Sequence, residues 1–319
     1  MKSRKILLLY LLLLGAAATF GLCFGPVKIS ILELLSDENS AILHLRMMRV
    51  ILGLVAGAGL AVAGVIFQGI LRNALAEPYV LGVSSGAGLG AVLALFFNLS
   101  VKSLPIVAFA GAILAMIIVY QLAKINGQVS TQGLILSGVI VGAVFSSLLL
   151  FFVSISPNEA MHGITWWLLG SLEAWDIKLL VAVVILVSIG IGVATFFSRD
   201  LNAISLGEEE AGHLGINVPL VKKILFVVAS LITGSIVCVC GIIGFVGLII
   251  PHAIRAVCGS DHRLVLPASA LSAGAFLIFA DTLGRTIMPP VEVPIGVITA
   301  LIGGPIFIIL LRRKQRSPL

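Results

Sequence analysis

Charge is what this chain most lacks. Only 11% of its 319 residues are Asp, Glu, Lys or Arg, while 60% are hydrophobic. Soluble domains carry about 25% charged residues, so a water-soluble globule is excluded and an integral membrane protein is implied. No centre of an apolar run carries a Lys, Arg, Asp or Glu; Asp281 comes nearest, close to the end of its run. Proton-coupled carriers and pumps place carboxylates or histidines there as relays, and this chain offers none. Cysteine is scarce too. Cys23, Cys238, Cys240 and Cys258 lie in or beside apolar runs, and Cys238 and Cys240, two apart, point to different sides of a helix. No disulfide or metal pattern follows. The five histidines are scattered, without metal-ligand spacing. No P-loop, nucleophile elbow or zinc-protease helix is present. The chain has no motif for hydrolysing ATP, and an intramembrane hydrolase lacks a nucleophile–base set.

What the chain has is apolar length. A span needs roughly 20 mostly apolar residues for a core about 30 Å thick. Nine charge-free stretches qualify or nearly do: Ile6–Gly25, Val50–Leu71, Pro78–Val101, Ser103–Ala123, Ile125–Asn158, Leu179–Ser198, Ile224–Pro251, Leu264–Ala280 and Val293–Leu311. Both chain ends are basic, with Lys2, Arg4 and Lys5 at one and Arg312, Arg313, Lys314 and Arg316 at the other. Basic flanks stay in the cytoplasm, so both termini are expected inside and the span count is even. Ile224–Pro251, extended to Cys258, is expected to cross twice, broken by Gly241, Gly244, Gly247 and Pro251. Ten spans then put fourteen of the 20 basic residues inside, and leave Lys28, Arg46, Arg49, Lys102, Lys178 and Arg285 outside. The net charge of +6 is thus membrane topology and no argument for nucleic acid. Ile6–Leu14 has the look of a cleavable signal, but the apolar run continues to Phe24, which favours an uncleaved first span.

One polar island interrupts the pattern. Leu206–Gly215 reads LGEEEAGHLG between two charge-free stretches. Three consecutive glutamates belong in water, where the segment is placed to touch a partner. Residues 202–216 read as two short helices joined around Gly207, with Leu206, Ala211, Leu214 and Ile216 as an apolar side. Elsewhere Gly53/Gly57, Gly82/Gly86/Gly90 and Gly138/Gly142 are each four apart, the spacing of close helix packing in lipid. Gln68 is a buried amide, read as a helix–helix hydrogen bond or as pathway lining; Ser84 and Ser85 carry the same pair of readings. The turn around Asn73 and the segment Gly127–Gly133 punctuate one face. Arg46 and Arg49 sit on the outer side, where basic residues are depleted. They read as snorkelling side chains or as a landing site for an acidic partner.

The order of these elements resembles the permease subunit of ABC importers for iron–siderophore, haem and vitamin B12. The likeness is carried by RMMRVILGLVAGAGLAVAGVIFQ (Arg46–Gln68), RNALAEPYVLGVSSGAGLG (Arg72–Gly90), LGEEEAGHLGINV (Leu206–Val218), Gly241–Arg285 and VEVPIGVITALIGGPIFIILL (Val291–Leu311). Two family prolines are Met48 and Ala74 here. The resemblance implies an all-α polytopic bundle of about ten transmembrane helices, a single permease domain over residues 1–319, working as a dimer in the inner membrane. It implies that 202–216 is a cytosolic coupling helix pair, with Leu206, Gly207, Glu208, Glu209, Ala211, Leu214 and Gly215 meeting the ATPase. It implies that Arg46, Arg49 and Arg285 pair with glutamates of an external binding protein, and that Asn73, Leu75, Thr131 and Gln132 form an inner gate. The implied partners are a second permease copy, two ATP-binding cassette subunits, the substrate-binding protein and membrane lipid. No cofactor is implied on this chain; ATP and Mg²⁺ belong to the ATPase. A stand-alone secondary carrier is the competing reading, with its ion site at the Gly241–Gly247 break.

Overall fold

A computed structural model describes residues 2–27, 29, 36, 39–125, 128–173 and 176–316. Lys28 and Gly127 lie outside the described residues, as do the side chains of Arg313, Lys314 and Arg316. Thirteen helices are described: α1 (Lys2–Cys23), α2 (Ser40–Ile70), α3 (Val83–Phe96), α4 (Leu104–Leu122), α5 (Thr131–Ser154), α6 (Asn158–Leu169), α7 (Ile177–Phe196), α8 (Ser198–Leu206), α9 (Glu208–His213), α10 (Val218–Cys240), α11 (Val246–Cys258), α12 (His262–Thr286) and α13 (Ile295–Arg316). A two-residue ladder, β1 (Lys124–Ile125) with β2 (Gln128–Val129), precedes α5 and is the one departure from the all-α expectation. Seven helices are long and apolar enough to cross a membrane; α3, α11 and the apolar part of α13 are shorter. Together they make the ten expected.

The central helix is α2. Within its most apolar stretch 78% of residues are buried, against 6% in α1, which lies at the periphery. Glycines let α2 come close to its neighbours. Gly53 and Gly57 lie against Ile278 and Ala273 of antiparallel α12, and Gly59 against Ile232 and Ile236 of α10. The pairs Gly86–Gly111 and Gly90–Val107 do the same between α3 and α4, and Gly138 meets the backbone of Val80 and Leu81. All three glycine pairs read from the sequence therefore serve packing. Met48, which keeps its N–H where a proline would not, lies mid-helix, and α2 runs unbroken from Ser40 through it.

Three expectations need correction. The run Pro78–Val101 is not helical throughout: Pro78–Leu81 is a 3₁₀ turn, Gly82 is left-handed (φ 75°), and α3 starts only at Val83. The run Ile224–Cys258 does break at Gly241, but Pro251 lies inside α11 and ends nothing; α11 has already begun at Val246. The run Ile125–Asn158 is not one helix either: α5 occupies Thr131–Ser154, and Asn158 already begins α6.

Thirteen or 14 residues of helix reach only about 20 Å, short of a core about 30 Å thick. The non-helical stretches before α3 and α11 supply the missing depth, and they pack on each other. Gly247 lies against Leu60 and Gly64, well inside α2. The Tyr79 hydroxyl donates to the Ile243 carbonyl (2.9 Å) and accepts from the Ile243 N–H (3.1 Å). The Glu77 carboxylate accepts from the Phe245 N–H (2.8 Å), at a residue held left-handed (φ 71°). Gln68 donates to the carbonyls of Ala76 and Gly247, each at 3.2 Å. Open backbone survives at this depth because its polar groups are met inside the protein.

A Cβ at Gly57 or Gly64 would meet a backbone carbonyl, of Ala273 or Gly247, whereas nothing lies within 4 Å of one at Gly192. Gly57→Ala and Gly64→Ala are expected to cost about 1–3 kcal/mol by overpacking, and Gly192→Ala to be neutral or stabilising by up to about 1 kcal/mol. Thermal unfolding of the detergent-solubilised chain, followed by the monodisperse fraction, checks the ranking.

Candidate functional site

The polar island folds as α8, Gly207 and α9, on the face where α1 starts and α13 ends. Gly207 is extended between the helices (φ 174°). Leu201 and Ile204 of α8 and Ala211 of α9 are fully buried against the bundle. Leu206 and Leu214 point the other way, 77% and 73% exposed, with Glu209, Glu210, His213 and Gly215 exposed around them. The apolar side expected from Leu206, Ala211, Leu214 and Ile216 is therefore divided. Ala211 and Ile216 hold the segment to the bundle, and the two leucines crown its outer surface. Two large apolar side chains are thus exposed on the outer surface of the segment, with Glu209 and Glu210 exposed beside them.

Glu208 does not join these two glutamates. Its carboxylate turns inward to Lys222 at the start of α10 (2.7 Å) and accepts from the Thr131 hydroxyl on the first residue of α5 (3.1 Å). Lys222 also donates to Thr131 Oγ1 (3.1 Å). Lys222 is buried and Glu208 partly exposed, at 7% and 41% of side-chain surface. Losing one partner costs about 1–2 kcal/mol, between the exposed and buried limits for ion pairs. The junction joins α9, α5 and α10 at one point. Gln132, next to Thr131, is exposed.

The other end of the segment is tied by Asn202. Its Nδ2 donates to Asp261 Oδ1 (2.9 Å), and its Oδ1 accepts from the His262 N–H (2.8 Å) and faces His262 Nδ1 (2.7 Å). Asp261 caps α12 and is gripped by Arg263, which holds its carboxyl well below the usual carboxylate range. Arg72 donates to the Leu206 carbonyl (3.3 Å), and Arg255 to the Gln68 side chain. These groups line a cleft of about 620 Å³ between the ends of α2, α8 and the α11–α12 turn. Gln68, read from the sequence as structural or as pathway lining, is 4% exposed and bonded within its own chain. Asn73 accepts from the Leu75 N–H (2.9 Å), an Asx turn that leaves Leu75 exposed. Ser85 donates to the Gly82 carbonyl (3.0 Å) beside Gly142 of α5, and Ser84 is half-buried.

On the opposite face Arg46, Arg49 and Arg285 do come together, but not as free cations. Arg46 donates to the carbonyls of Leu22, Cys23 and Val27 (2.8–3.1 Å) and is 4% exposed. Arg49 pairs with Glu292 at 2.9 Å, with Glu173 (3.7 Å) and Asp281 (3.9 Å) further off. Arg285 lies 2.9 Å from Asp281, close but not aligned as a hydrogen bond. Arg49 and Arg285 thus face carboxylates of the same chain, and Arg46 faces backbone carbonyls.

The residues sequence reasoning missed are Glu77, Lys222, Asn202, Arg255, Asp261 and His262. Lys222 and Arg255 were legible only as topological charge. Glu77 stands beside Pro78 at the edge of an apolar run, and a lone carboxylate there was the available signal.

Ten apolar helices, two opposed backbone breaks inside the bundle and one docked pair of short helices at a single face define a polytopic integral membrane protein. The chain belongs to the FecCD transport family, whose model matches residues 10–313, and members of this family are permease subunits of ABC importers rather than enzymes. It is 43% identical over 275 residues to the cobalamin import system permease of Halobacterium salinarum, covering 85% of this chain and 73% of the relative. It is 37% identical to the hemin transport system permease of Yersinia pestis, over 98% of this chain and 96% of the relative. It is also 37% identical to the Fe(3+) dicitrate permease of Escherichia coli, covering 99% and 100%. A solved inward-facing transporter assigned to the metal-chelate ABC type matches with a TM-score of 0.91 at 31% identity, over 97% of this chain and 99% of that one.

Asn202→Ala removes both bonds of the α8 anchor, the one to the Asp261 carboxylate and the one from the His262 N–H, and is expected to loosen the island by about 1–3 kcal/mol. Hydrogen–deuterium exchange should then rise over residues 198–216 and leave α2 unchanged.

Proposed function

We propose that this chain is the permease subunit of a binding-protein-dependent importer that brings a metal chelate, foremost a ferric siderophore, into the cytoplasm. Haem, cobalamin and molybdate are the other cargoes of that reading. Relatives of near-equal similarity are named for cobalamin, hemin and ferric dicitrate, so likeness alone does not choose among them. Two copies enclose the path, two ATP-binding cassette subunits bind and hydrolyse Mg·ATP, and an external protein delivers cargo. The basic face, with both termini, lies in the cytoplasm.

The single observation that carries the reading is the Glu208–Lys222–Thr131 junction. Leu206 and Leu214 meet the ATPase with Glu209 and Gly215 exposed beside them, while buried Gly207 and Ala211 hold the segment in place behind that surface. Glu208 carries the displacement to Thr131, the first residue of the helix that opens the gate formed with Gln132, Asn73 and Leu75. A rigid helix moved at its end changes the mouth of the path without new contacts within it. Outside, the acidic groups of the binding protein compete with Glu173 and Glu292, whose side chains are 65% and 34% exposed, for Arg49 above the buried Arg46 and Arg285. A path with little fixed charge passes a bulky chelate without trapping it.

Glu208→Gln and Lys222→Met are expected to lower uptake by proteoliposomes about 10-fold while ATP hydrolysis by the assembled complex persists, since the ATPase contact surface is kept. Arg49→Glu is expected to weaken capture of the wild-type binding protein about 10-fold and leave basal hydrolysis unchanged. Full uptake by all three variants sinks the assignment of roles. Uptake by the chain without any ATPase, driven by an ion gradient, establishes the stand-alone carrier instead.

A further inference from the structure

The starts of α4 and α7 and the end of α10 meet on the face opposite α8–α9. The Ser171 N–H, ahead of α7, donates to the Cys240 carbonyl at the end of α10 (2.8 Å). Leu104 of α4 and Val239 of α10 pack on the same buried cluster. Between the three helices runs a groove of about 220 Å³. Its walls include Pro105 and Phe109 of α4, Leu179 and Leu186 of α7, and Ser235 and Cys238 of α10. Pro105 is the second residue of α4 and Leu179 the third of α7, so the groove starts at the end of the bundle. Leu179 to Leu186 is about 10 Å of helix, within half of a core about 30 Å thick. The groove therefore occupies one leaflet.

The lining makes no polar demand. Its two polar side chains are spent inside α10: the Ser235 hydroxyl donates to the Ile232 carbonyl (2.8 Å) and the Cys238 thiol to the Ser235 carbonyl (3.2 Å). Every other wall residue is apolar. Ile106 in the wall is exposed, as are Val181 and Ile185 of α7, so the groove opens toward lipid. Water finds no partners in such a site, whereas a hydrocarbon chain gains dispersion contacts along it. The rim is basic. Lys102 lies in the turn ahead of α4, Lys178 is the second residue of α7, and both are exposed. Both belong to the face where basic residues are depleted. Among the described residues no carboxylate lies within ion-pair distance of either ammonium. Asp176, beside Lys178, accepts from the Lys178 N–H (2.8 Å), and Glu173 turns toward Arg49.

We infer that this groove binds one anionic phospholipid, with an acyl chain between α4, α7 and α10 and the headgroup phosphate met by Lys102 and Lys178. Lysine stems lie along apolar surface while their ammonium ends reach the headgroup level. The phosphate offers them charged acceptor oxygens. A zwitterionic headgroup brings its own cation to a rim that already holds two, so a headgroup of net negative charge is preferred. A lipid held there packs against all three helices and stabilises their junction.

The test uses the full chain in neutral detergent, titrated with phosphatidylglycerol, with phosphatidylcholine of the same acyl chains, or with glycerol 1-phosphate. Bound lipid is counted by native mass spectrometry, and Tm is followed in parallel. Neither readout needs cargo or an ATPase, so failure here leaves the transport reading standing. Phosphatidylglycerol is expected to bind saturably, to raise Tm, and to bind about 25-fold more tightly than phosphatidylcholine, at about 5-fold for each lysine near a lipid surface. Lys102→Gln and Lys178→Gln should each remove about 5-fold of that preference, and the double variant should erase it. Ala182→Phe, at an exposed position in the groove wall, fills the groove and should abolish the response to lipid. Lys124→Gln, beyond the far end of α4, should bind lipid as the parent does. Should Ala182→Phe lower the monodisperse fraction, the lysine variants, altered only at exposed side chains, decide the question. The site is overturned if the two lipids bind alike, if the double lysine variant keeps the preference, if well-folded Ala182→Phe binds lipid as the parent does, or if glycerol 1-phosphate alone raises Tm as the lipid does.

Discussion

The bundle depends on meeting the hydrogen-bonding groups of backbone that leaves the helix inside the membrane. Two such stretches exist, before α3 and before α11, and each is too polar to face lipid. The protein resolves this by pressing them together. Tyr79 closes both bonds of Ile243, Glu77 caps Phe245, and Gln68 reaches Ala76 and Gly247 at once. Gly64 and Gly247 supply the closeness, because no side chain fits between the backbones there. Without this pairing α3 and α11 are merely short helices. With it, they are held at a fixed height against α2, whose apolar stretch is the most buried of the seven long spans.

That fixed core gives the peripheral polar contacts something to work against. The α8–α9 segment is fastened at both ends and bare in its middle. Asn202 ties one end to the α11–α12 turn and Glu208 ties the other to α5 and α10. Of the two exposed leucines, Leu206 lies between these anchors and Leu214 beyond Glu208. The segment is therefore bonded to two different groups of helices at once. On the opposite face Arg49 and Arg285 are met by carboxylates and Arg46 and Arg285 by carbonyls of α1 and the residues after it, so the arginines hold α1, α2 and α12 together.

The sequence announced most of this frame. Charge-free length located the spans, the parity of basic ends demanded a tenth, and the glycine at position 241 marked where one run divides. Family motifs picked out the island and Thr131. What escaped was whatever depends on the direction of a side chain. Leu206 and Ala211 have similar polarity, yet one faces water and the other the bundle. Three consecutive glutamates look alike in sequence, and only the turn at Gly207 sends Glu208 inward to Lys222. Pro251 looked like a helix stop, but at that position its ring is accommodated within α11. Glu77 escaped for a different reason. An ionisable group beside a proline reads as a solvent turn, and its bond to Phe245, 168 residues on, has no local trace.

The distribution of charge then follows one rule. Buried charged and amide side chains lie near helix ends or breaks, and the chain spends them on its own backbone or on each other: Arg46 on three carbonyls, Gln68 on two, Asp281 beside Arg285. Helix surfaces between those ends are left apolar, as in the exposed Val139, Ile140 and Val144 of α5. A surface of that kind makes no directional demand on what slides along it, be it lipid, a second copy or a cargo. Specific contacts are confined to the two ends, where each is anchored in the packed core. Recognition and movement can therefore be altered at either face without disturbing the path that joins them.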